Sequence, residues 1–172
     1  MAELFMNNTY CWYAIYTRLN HEKAVELALR EKSIEVFLPT RKTLRVWSDR
    51  KKWIEEPLFR SYMFVRVSNK EYHKVIQTPS VIRYICFGGR VAPVREKEIE
   101  LVKTLVSETI DFELTDVPYL TSQSVRVTHG PFSGHTGKVI RVNGKTRLVV
   151  RLDHVQCSVS LDVAQDCLAP VN

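Results

Sequence analysis

A glycine-rich segment in the C-terminal part of the chain is the clearest candidate for a loop with a defined role. Residues 125–142 read V-R-V-T-H-G-P-F-S-G-H-T-G-K-V-I-R-V. The phosphate-loop pattern G-x-x-x-x-G-K-[S/T] is absent, and residues 130–134 read G-x-x-S-G, not the G-x-S-x-G of a nucleophile elbow. We therefore predict a structural loop, bent tightly at its glycines, with an aromatic side chain over the mouth of a small barrel. Its residues are Gly130, Pro131, Phe132, Gly134 and Gly137.

The residues that most often bind metals or act as nucleophiles are scattered along the chain. The cysteines are Cys11, Cys86, Cys157 and Cys167, and they form no C-x-x-C pair. The five histidines form no H-E-x-x-H pattern. Zinc sites need such ligands at short spacing, so we predict no metal, no cofactor and no enzymatic activity. A hydrolase or metalloenzyme with a dispersed site is the alternative.

Aromatic side chains are the first candidate binding set. They lie on or near predicted strands and are Tyr16, Phe59, Tyr62, Phe64 and Phe87. For each one alone core packing is the favoured explanation, because aromatic residues dominate cores as well as interfaces. As a set they exceed what one small sheet face needs, so we expect part of the set to form a partner site.

Basic residues around a predicted hairpin are the second candidate set. They are Arg41, Lys42, Arg45, Arg50, Lys51 and Lys52, with only Asp49 opposing them. A charge run of this kind is usually a solvated face. The alternative is contact with a phosphate backbone or another acidic surface, which a hairpin tip can reach. Trp47 and Trp53 on the same hairpin are predicted to pair across its strands.

Length and charge limit the class of protein. The chain has 172 residues, of which 45% are hydrophobic, and a net charge of +6. This composition excludes a disordered chain, and no apolar run approaches the ~20 residues of a membrane-spanning helix. We expect no membrane association, and with no secretory signal at the N-terminus we expect a cytoplasmic protein. Two basic stretches, residues 1–106 and 121–172, flank an acidic segment, residues 107–120, which holds four acids and no base; a basic balance favours a polyanionic partner.

Residues 10–107 alternate between strand and helix patterns. Predicted strands cover residues 11–17, 34–38, 43–47, 52–56, 58–67 and 81–87, and predicted helices cover residues 21–32, 68–77 and 95–107. Asn20 is the predicted N-cap of the first helix, and Ser68 and Glu71 form a predicted capping box for the second. The order predicts a βαββαβ-like α+β domain with helices packed on an antiparallel sheet.

The rest of the chain changes character after residue 107. Residues 108–123 are acidic and lack a sustained period, so we predict a linker, although some of its apolar residues could pack on a neighbouring element. Four short strands are predicted at residues 125–128, 137–142, 145–152 and 157–161, with a hairpin turn at Asn143-Gly144. These strands predict a small all-β barrel. The predicted domains are therefore residues 1–107 and 124–172, joined by the linker.

Two sets of motifs resemble one known family. The glycine-rich segment resembles the KOW motif, and its barrel is of the SH3-like type. The motifs W-Y-A-I-Y-T, H-E-K, V-F-L-P, P-L-F-R-S-Y-M-F-V and F-G-G occur in this order in the N-terminal half. Together they resemble the NusG family of transcription elongation factors, whose N-terminal (NGN) domain precedes a KOW domain. Residues 35–59 are more similar to the UpxY-type antiterminators of capsular polysaccharide operons than to general members of the NusG family.

The resemblance implies a function and its partners. It implies a monomeric, operon-specific antitermination or elongation factor whose N-terminal domain grips the clamp helices of the largest RNA polymerase subunit through the aromatic set. His73 and Lys74 match positions that touch the opposite jaw of the polymerase cleft. Arg18 and His21 match positions near non-template DNA, and the basic hairpin is expected to approach upstream DNA. The KOW domain is expected to recruit a ribosomal protein or a termination factor. The alternative function is a ribosome- or RNA-associated KOW protein.

Overall fold

The computed structural model describes residues 8–46, 50–107, 112–115, 123–142 and 145–171. The chain divides into two units, Met1–Glu96 and Lys97–Asn172, each with its own sheet. Helices are α1 (Glu22–Glu31), α2 (Tyr72–Ile76) and α3 (Glu96–Ser107). No helix in the described part of the chain is long and apolar enough to cross a bilayer.

The described residues of the first unit form nine strands. They are β1 (Cys11–Thr17), β2 (Glu35–Phe37), β3 (Thr40–Val46), β4 (Lys51–Pro57), β5 (Tyr62–Val67), β6 (Val81–Tyr84), β7 (Cys86–Phe87), β8 (Arg90–Val91) and β9 (Pro93–Val94). The main sheet has the order β2-β5-β1-β6, with β9 also paired to β1, and every pairing is antiparallel. Strands β3 and β4 form a separate hairpin, as do β7 and β8. The predicted α+β order is confirmed.

One face of the main sheet forms the core with helices α1 and α2. Its buried side chains include Tyr13, Ile15, Met63 and Val65 from the central strands and Val75 from α2. These strand residues alternate with those of the opposite face, because successive side chains in a strand point to opposite sides. The helices therefore occupy one side, and the other side carries Tyr16, Tyr62 and Phe64.

Several details of the first unit differ from the sequence prediction. The strand predicted over residues 81–87 is divided into β6 and β7, which belong to different sheets, and β8 and β9 were not predicted. Asn20 is not the N-cap of α1: it has a left-handed φ of 63°, and His21 occupies the cap position without a side-chain cap bond. The strand predicted over residues 58–67 begins only at Tyr62, because Ser61 has φ 65°. A left-handed residue interrupts the extended backbone that a strand requires.

The capping box before α2 is confirmed. The Ser68 amide donates to Glu71 Oε2 at 3.0 Å, and the Lys70 amide donates to Ser68 Oγ at 3.4 Å. The Tyr10 hydroxyl donates to Glu71 Oε1 at 2.9 Å. The Ser68 hydroxyl donates to Glu71 Oε2 at 2.6 Å, and this bond is the largest cause that holds the pKa of Glu71 below its ordinary value. The bonds from the Ser68 amide and the Tyr10 hydroxyl lower the pKa of Glu71 further.

The second unit contains an all-β sheet, which confirms the predicted class of the C-terminal part. Its strands are β10 (Phe112–Thr115), β11 (Gln123–Val127), β12 (Thr136–Val142), β13 (Lys145–Leu152), β14 (Cys157–Asp162) and β15 (Leu168–Pro170), in the order β10-β14-β13-β12-β11-β15. The four predicted strands correspond to β11 to β14. The predicted turn at Asn143-Gly144 lies outside the described residues. The segment predicted as a linker contributes strand β10, which pairs with β14.

Candidate functional site

The side of the main sheet opposite the helices carries a cluster of aromatic side chains. Strands β1 and β5 pair so that Tyr16 lies opposite Tyr62, with ring centroids 5.1 Å apart in an edge-to-face arrangement. Phe64 stacks on Phe37 at 6.0 Å and meets Phe59 edge-to-face at 6.4 Å. We call these five residues the aromatic face. Edge-to-face and offset-stacked pairs are the favourable geometries for aromatic rings, so the cluster is well packed.

Burial divides the aromatic face into a support and an accessible part. Phe59 and Phe64 are only 4% and 3% exposed, whereas Tyr16 and Tyr62 are half-buried. Strand β6 pairs with the edge of β1 that faces away from β5, and Arg83 of β6 lies opposite Tyr16 there. The guanidinium carbon of Arg83 is 5.6 Å from the Tyr16 ring centroid. A row of Tyr62, Tyr16 and Arg83 thus runs across three strands over buried phenylalanines. Tyrosine and arginine are the residue types that most often dominate the energy of protein interfaces.

A buried carboxylate fixes the turn that presents Tyr62. Glu22, in the first turn of α1, is only 3% exposed, and its Oε1 accepts a 2.8 Å hydrogen bond from the Ser61 amide. The Ser61 carbonyl accepts from the Thr17 amide at 2.8 Å. The end of β1, the start of α1 and the turn before β5 are therefore tied together. A carboxylate at a helix N-terminus also interacts favourably with the helix dipole.

The structure brings together four of the five predicted aromatic residues. Phe87 lies apart, in the β7–β8 hairpin, with an exposed side chain. His73 and Lys74 are exposed on α2, which packs on the opposite side of the sheet. Phe37 belongs to the aromatic face and Arg83 lies beside it, but neither residue was predicted from the sequence. The V-F-L-P motif contains Phe37, yet only the pairing of β2 with β5 reveals its place.

The residues predicted near DNA occupy two separate places. Arg18 and His21 flank the left-handed Asn20 before α1, and both side chains are exposed. In the β3–β4 hairpin, Lys51 and Lys52 are exposed. Arg50 is exposed as well, and Arg45 pairs with Lys52 along the backbone. Arg41 and Lys42 are exposed but lie opposite Glu56 and Glu55, so Asp49 is not the only acid that opposes the basic set.

The hairpin carries an accessible aromatic ring beside its positive charges. Trp53 is 65% exposed and lies opposite Leu44, which is also exposed. The predicted partner of Trp53, Trp47, lies outside the described residues. Near the other end of the hairpin, Glu55 accepts from the Thr40 hydroxyl at 2.7 Å and lies 3.7 Å from Lys23 Nζ. The hydrogen bond from Thr40 is the main cause that lowers the pKa of Glu55.

The glycine-rich loop is built from backbone hydrogen bonds. Gly130 and Gly134 have φ of 86° and 83°, and Phe132 between them is buried. The Gly134 amide donates to the Val127 carbonyl at 2.8 Å, which folds the loop back on its strand. A Cβ on Gly137 would lie 2.7 Å from a backbone oxygen of β13, closer than real Cβ contacts. The loop thus needs glycine for the left-handed backbone at residues 130 and 134 and for the close approach of β13 at residue 137.

The described residues offer no evident catalytic constellation. The Ser133 hydroxyl, within the glycine-rich loop, donates to the Thr128 carbonyl at 3.1 Å. Among the described part of the chain, no group of three or more His, Cys, Asp or Glu residues could hold a metal ion. The features that remain are a supported aromatic face and a basic hairpin, both suited to binding macromolecules.

An α+β domain with an aromatic face, followed by an all-β domain with a KOW-like loop, defines a class of transcription factors. The family described as transcription termination factor nusG matches residues 10–103, and the KOW motif matches residues 122–155. The chain therefore belongs to the NusG family of transcription termination and antitermination factors.

Individual relatives span nearly the whole chain. The transcription termination/antitermination protein NusG of Thermus thermophilus is 26% identical and covers 90% of this chain and 96% of its own. The NusG of Bacillus subtilis is 24% identical, with coverage of 94% and 95%. A solved structure described as "Domain interaction in Thermotoga maritima NusG" has a TM-score of 0.57 at 18% identity, and it covers 95% of this chain and 98% of its own. This last likeness shows that the fold is shared.

Proposed function

We propose that this protein is an operon-specific antitermination or elongation factor that binds RNA polymerase through its aromatic face. The observation that carries the proposal is the row of Tyr62, Tyr16 and Arg83, held over buried Phe59 and Phe64. The aromatic face is proposed to bind the pair of clamp helices in the largest polymerase subunit. His73 and Lys74, on the other side of the sheet, are proposed to contact the opposite jaw of the cleft.

The mechanism needs no bond to be made or broken. A factor that spans the cleft binds the closed, processive state of polymerase better than the paused or terminating state. It shifts the population toward the processive state by the difference between its two affinities. The face suits this role because its rings are already packed against one another, so little side-chain ordering is needed on binding.

Nucleic acid contacts are the second part of the proposal. Arg18 and His21 are proposed to approach non-template DNA, and the hairpin cations Arg45, Arg50, Lys51 and Lys52 to approach upstream DNA. The clustering of positive charge on a hairpin that pairs with no other described strand supports this assignment. The C-terminal domain is proposed to recruit a further protein, such as a ribosomal protein or a termination factor. The similarity of residues 35–59 to UpxY-type proteins points to capsular polysaccharide operons as targets.

Polymerase binding by full-length variants tests the aromatic face. Tyr62→Ala is expected to weaken binding to purified core RNA polymerase by about 30-fold or more, the loss typical of a central interface residue. Leu27→Ala is the matched control, since Leu27 is an exposed apolar residue on α1. Equal affinities of a folded Tyr62→Ala chain and the wild type would refute the assignment.

A transcription assay tests the operon-specific role. Readthrough of a terminator is measured on a template with a capsular operon leader and on an unrelated template. The proposal predicts higher readthrough on the leader template only, with loss of the effect in Tyr62→Ala. Equal stimulation of both templates would contradict the operon-specific role and would indicate a general elongation factor.

One observation favours the second candidate, an RNA-associated protein. Trp53 is exposed directly beside Lys51 and Lys52, and bases stack on such rings while cations contact the phosphates. RNA binding measured by fluorescence anisotropy between low and high salt distinguishes the two. An RNA-associated protein should bind RNA tightly, with a steep salt dependence and a loss of affinity in Trp53→Ala. A polymerase-binding factor that uses the hairpin cations only for backbone contacts to DNA should bind RNA weakly, with no effect of Trp53→Ala.

A further inference from the structure

The outermost strand of the C-terminal sheet comes from the acidic segment between the two matched regions. Strand β10 pairs antiparallel with β14: Phe112 lies opposite Leu161, Leu114 opposite Val159, and Glu113 opposite Ser160. Without β10, strand β14 would stand at the end of the described sheet order. An unpaired edge presents backbone N–H and C=O groups that readily accept a further strand.

The two strands of this pair differ strongly in burial. The central residues of β14, from Ser158 to Leu161, are all buried. In β10 the side chains of Glu113 and Leu114 are exposed, and those of Phe112 and Thr115 are half-buried. Strand β14 is therefore an integral part of the core, whereas no side chain of the four-residue strand β10 is fully buried and Leu114 is 37% exposed. Strand β10 thus lies at the margin of the core, where its replacement by another strand disturbs less packing than the loss of β14 would.

One charged contact adds selectivity to this pairing. The Arg147 guanidinium donates to both carboxylate oxygens of Glu113, with Nη1–Oε2 at 2.5 Å and Nη2–Oε1 at 3.4 Å. Its Nε donates to Asp162 at 2.8 Å, which fixes the guanidinium on the sheet surface. A bidentate contact recognises a carboxylate by shape as well as by charge. Because Glu113 and Asp162 are well exposed, the energy of these ion pairs is small.

We propose that the edge of β14 is a strand-addition site for an extended peptide of a partner protein, and that β10 occupies this site until the partner displaces it. The proposal rests on the proposed recruiting role of the C-terminal domain and names its partner class. The strand present in the structure indicates the chemistry that fits. It is an extended segment with a carboxylate facing Arg147 and apolar side chains on either side of it, facing Leu161 and Val159.

Attachment of β10 to the same chain sets how strongly it competes. A tethered segment acts at an effective concentration of the order of millimolar, so it hinders weakly binding peptides and yields to tight ones. Because β10 of the same chain already occupies the edge of β14, only a partner peptide that makes more contacts than β10 can replace it. It also covers an edge that is otherwise open to pairing between copies of the chain.

The test uses the full chain and a synthetic peptide of residues 108–120. Amide shifts of isotope-labelled protein are followed as the peptide is added. A Glu113→Pro/Leu114→Pro variant removes β10, because successive N–H groups of a strand point to opposite sides and one of the two prolines must break the pairing. We expect this variant to bind the peptide about tenfold or more tightly than the wild type. The shifts are expected in β14, at Cys157–Asp162.

Two controls keep every outcome informative. A Glu113→Lys chain weakens β10 without proline and is expected to bind the unaltered peptide several-fold better than the wild type does. A peptide with Lys in place of Glu113 is expected to bind the proline variant at least several-fold more weakly, because it repels Arg147. Equal affinity for the two peptides, no gain in either chain variant, or shifts that leave β14 unaffected would overturn the proposal. Polymerase plays no part in this assay, so a Tyr62→Ala chain should bind the peptide as its parent does, whatever becomes of the polymerase assignment.

Discussion

The two central aromatic residues of strand β5 are expected to respond differently to truncation. Phe64 is 3% exposed and packs between Phe37 and Phe59, whereas Tyr62 is half-buried beside Tyr16. Phe64→Ala should lower the free energy of unfolding of the N-terminal unit by about 3–5 kcal/mol, as for other buried phenylalanines. Tyr62→Ala should cost about 1–2 kcal/mol, because less of its ring leaves water on folding.

Urea unfolding measures this difference. Trp12 is only 3% exposed and lies in β1 opposite Arg66 of β5, so its fluorescence reports on the N-terminal sheet. Trp47 and Trp53 are replaced by Phe in all chains compared, so that Trp12 alone reports. With a slope of about 2 kcal/mol per M, Phe64→Ala moves the midpoint down by about 2 M and Tyr62→Ala by less than about 1 M. Equal midpoint shifts for the two variants, or none for Phe64→Ala, would refute the division between support and accessible part.

Substitutions at three further positions probe the geometry. Glu71→Ala should lower the free energy of unfolding by about 1 kcal/mol at neutral pH, because the capping box is lost. The pKa of Glu71 in the folded chain lies below its ordinary 4.5, so this contribution is complete above about pH 4.5 and disappears as the pH falls through the lowered pKa. Urea unfolding at several pH values measures this dependence. Gly137→Ala should destabilise the C-terminal sheet by about 1–3 kcal/mol, because its Cβ meets Val149 O at 2.7 Å, and faster amide exchange in β13 measures the loss. Ser61→Gly should leave thermal stability nearly unchanged, whereas Ser61→Val should cost about 2 kcal/mol, since a branched side chain is poorly tolerated at φ 65°.

Local patterns predicted the elements of this fold well. The capping box at Ser68 and Glu71 is a local signal, and it is confirmed. The hairpin of β3 and β4 and the strands β11 to β14 follow from alternation and turn residues, which act over a few positions. The left-handed turn at Ser61 escaped prediction; the Ser61 amide donates to Glu22, a partner that is distant in sequence and gives no local signal. Strand β10 was missed since four residues are too few to show a period.

The candidate site was predicted in part, and the reason is strand register. Tyr16, Phe59, Tyr62 and Phe64 could be selected by type and by position on strong strand patterns. Phe37 and Arg83 join them only because β2 pairs with β5 and β6 pairs with β1. Such pairings depend on the whole sheet, and no local property of the sequence specifies them.

A photocrosslinking group at position 62 tests whether the aromatic face contacts the clamp helices of RNA polymerase. Tyr62 is replaced by benzoylphenylalanine in the full chain, the chain is mixed with core RNA polymerase and irradiated, and the crosslinked polymerase residues are mapped. A chain with the same group at Leu27 serves as the control. We expect crosslinks from position 62 to the clamp helices of the largest subunit and none there from position 27. Crosslinks to the clamp helices from position 27 alone, or none from a folded chain labelled at position 62, would contradict this expectation.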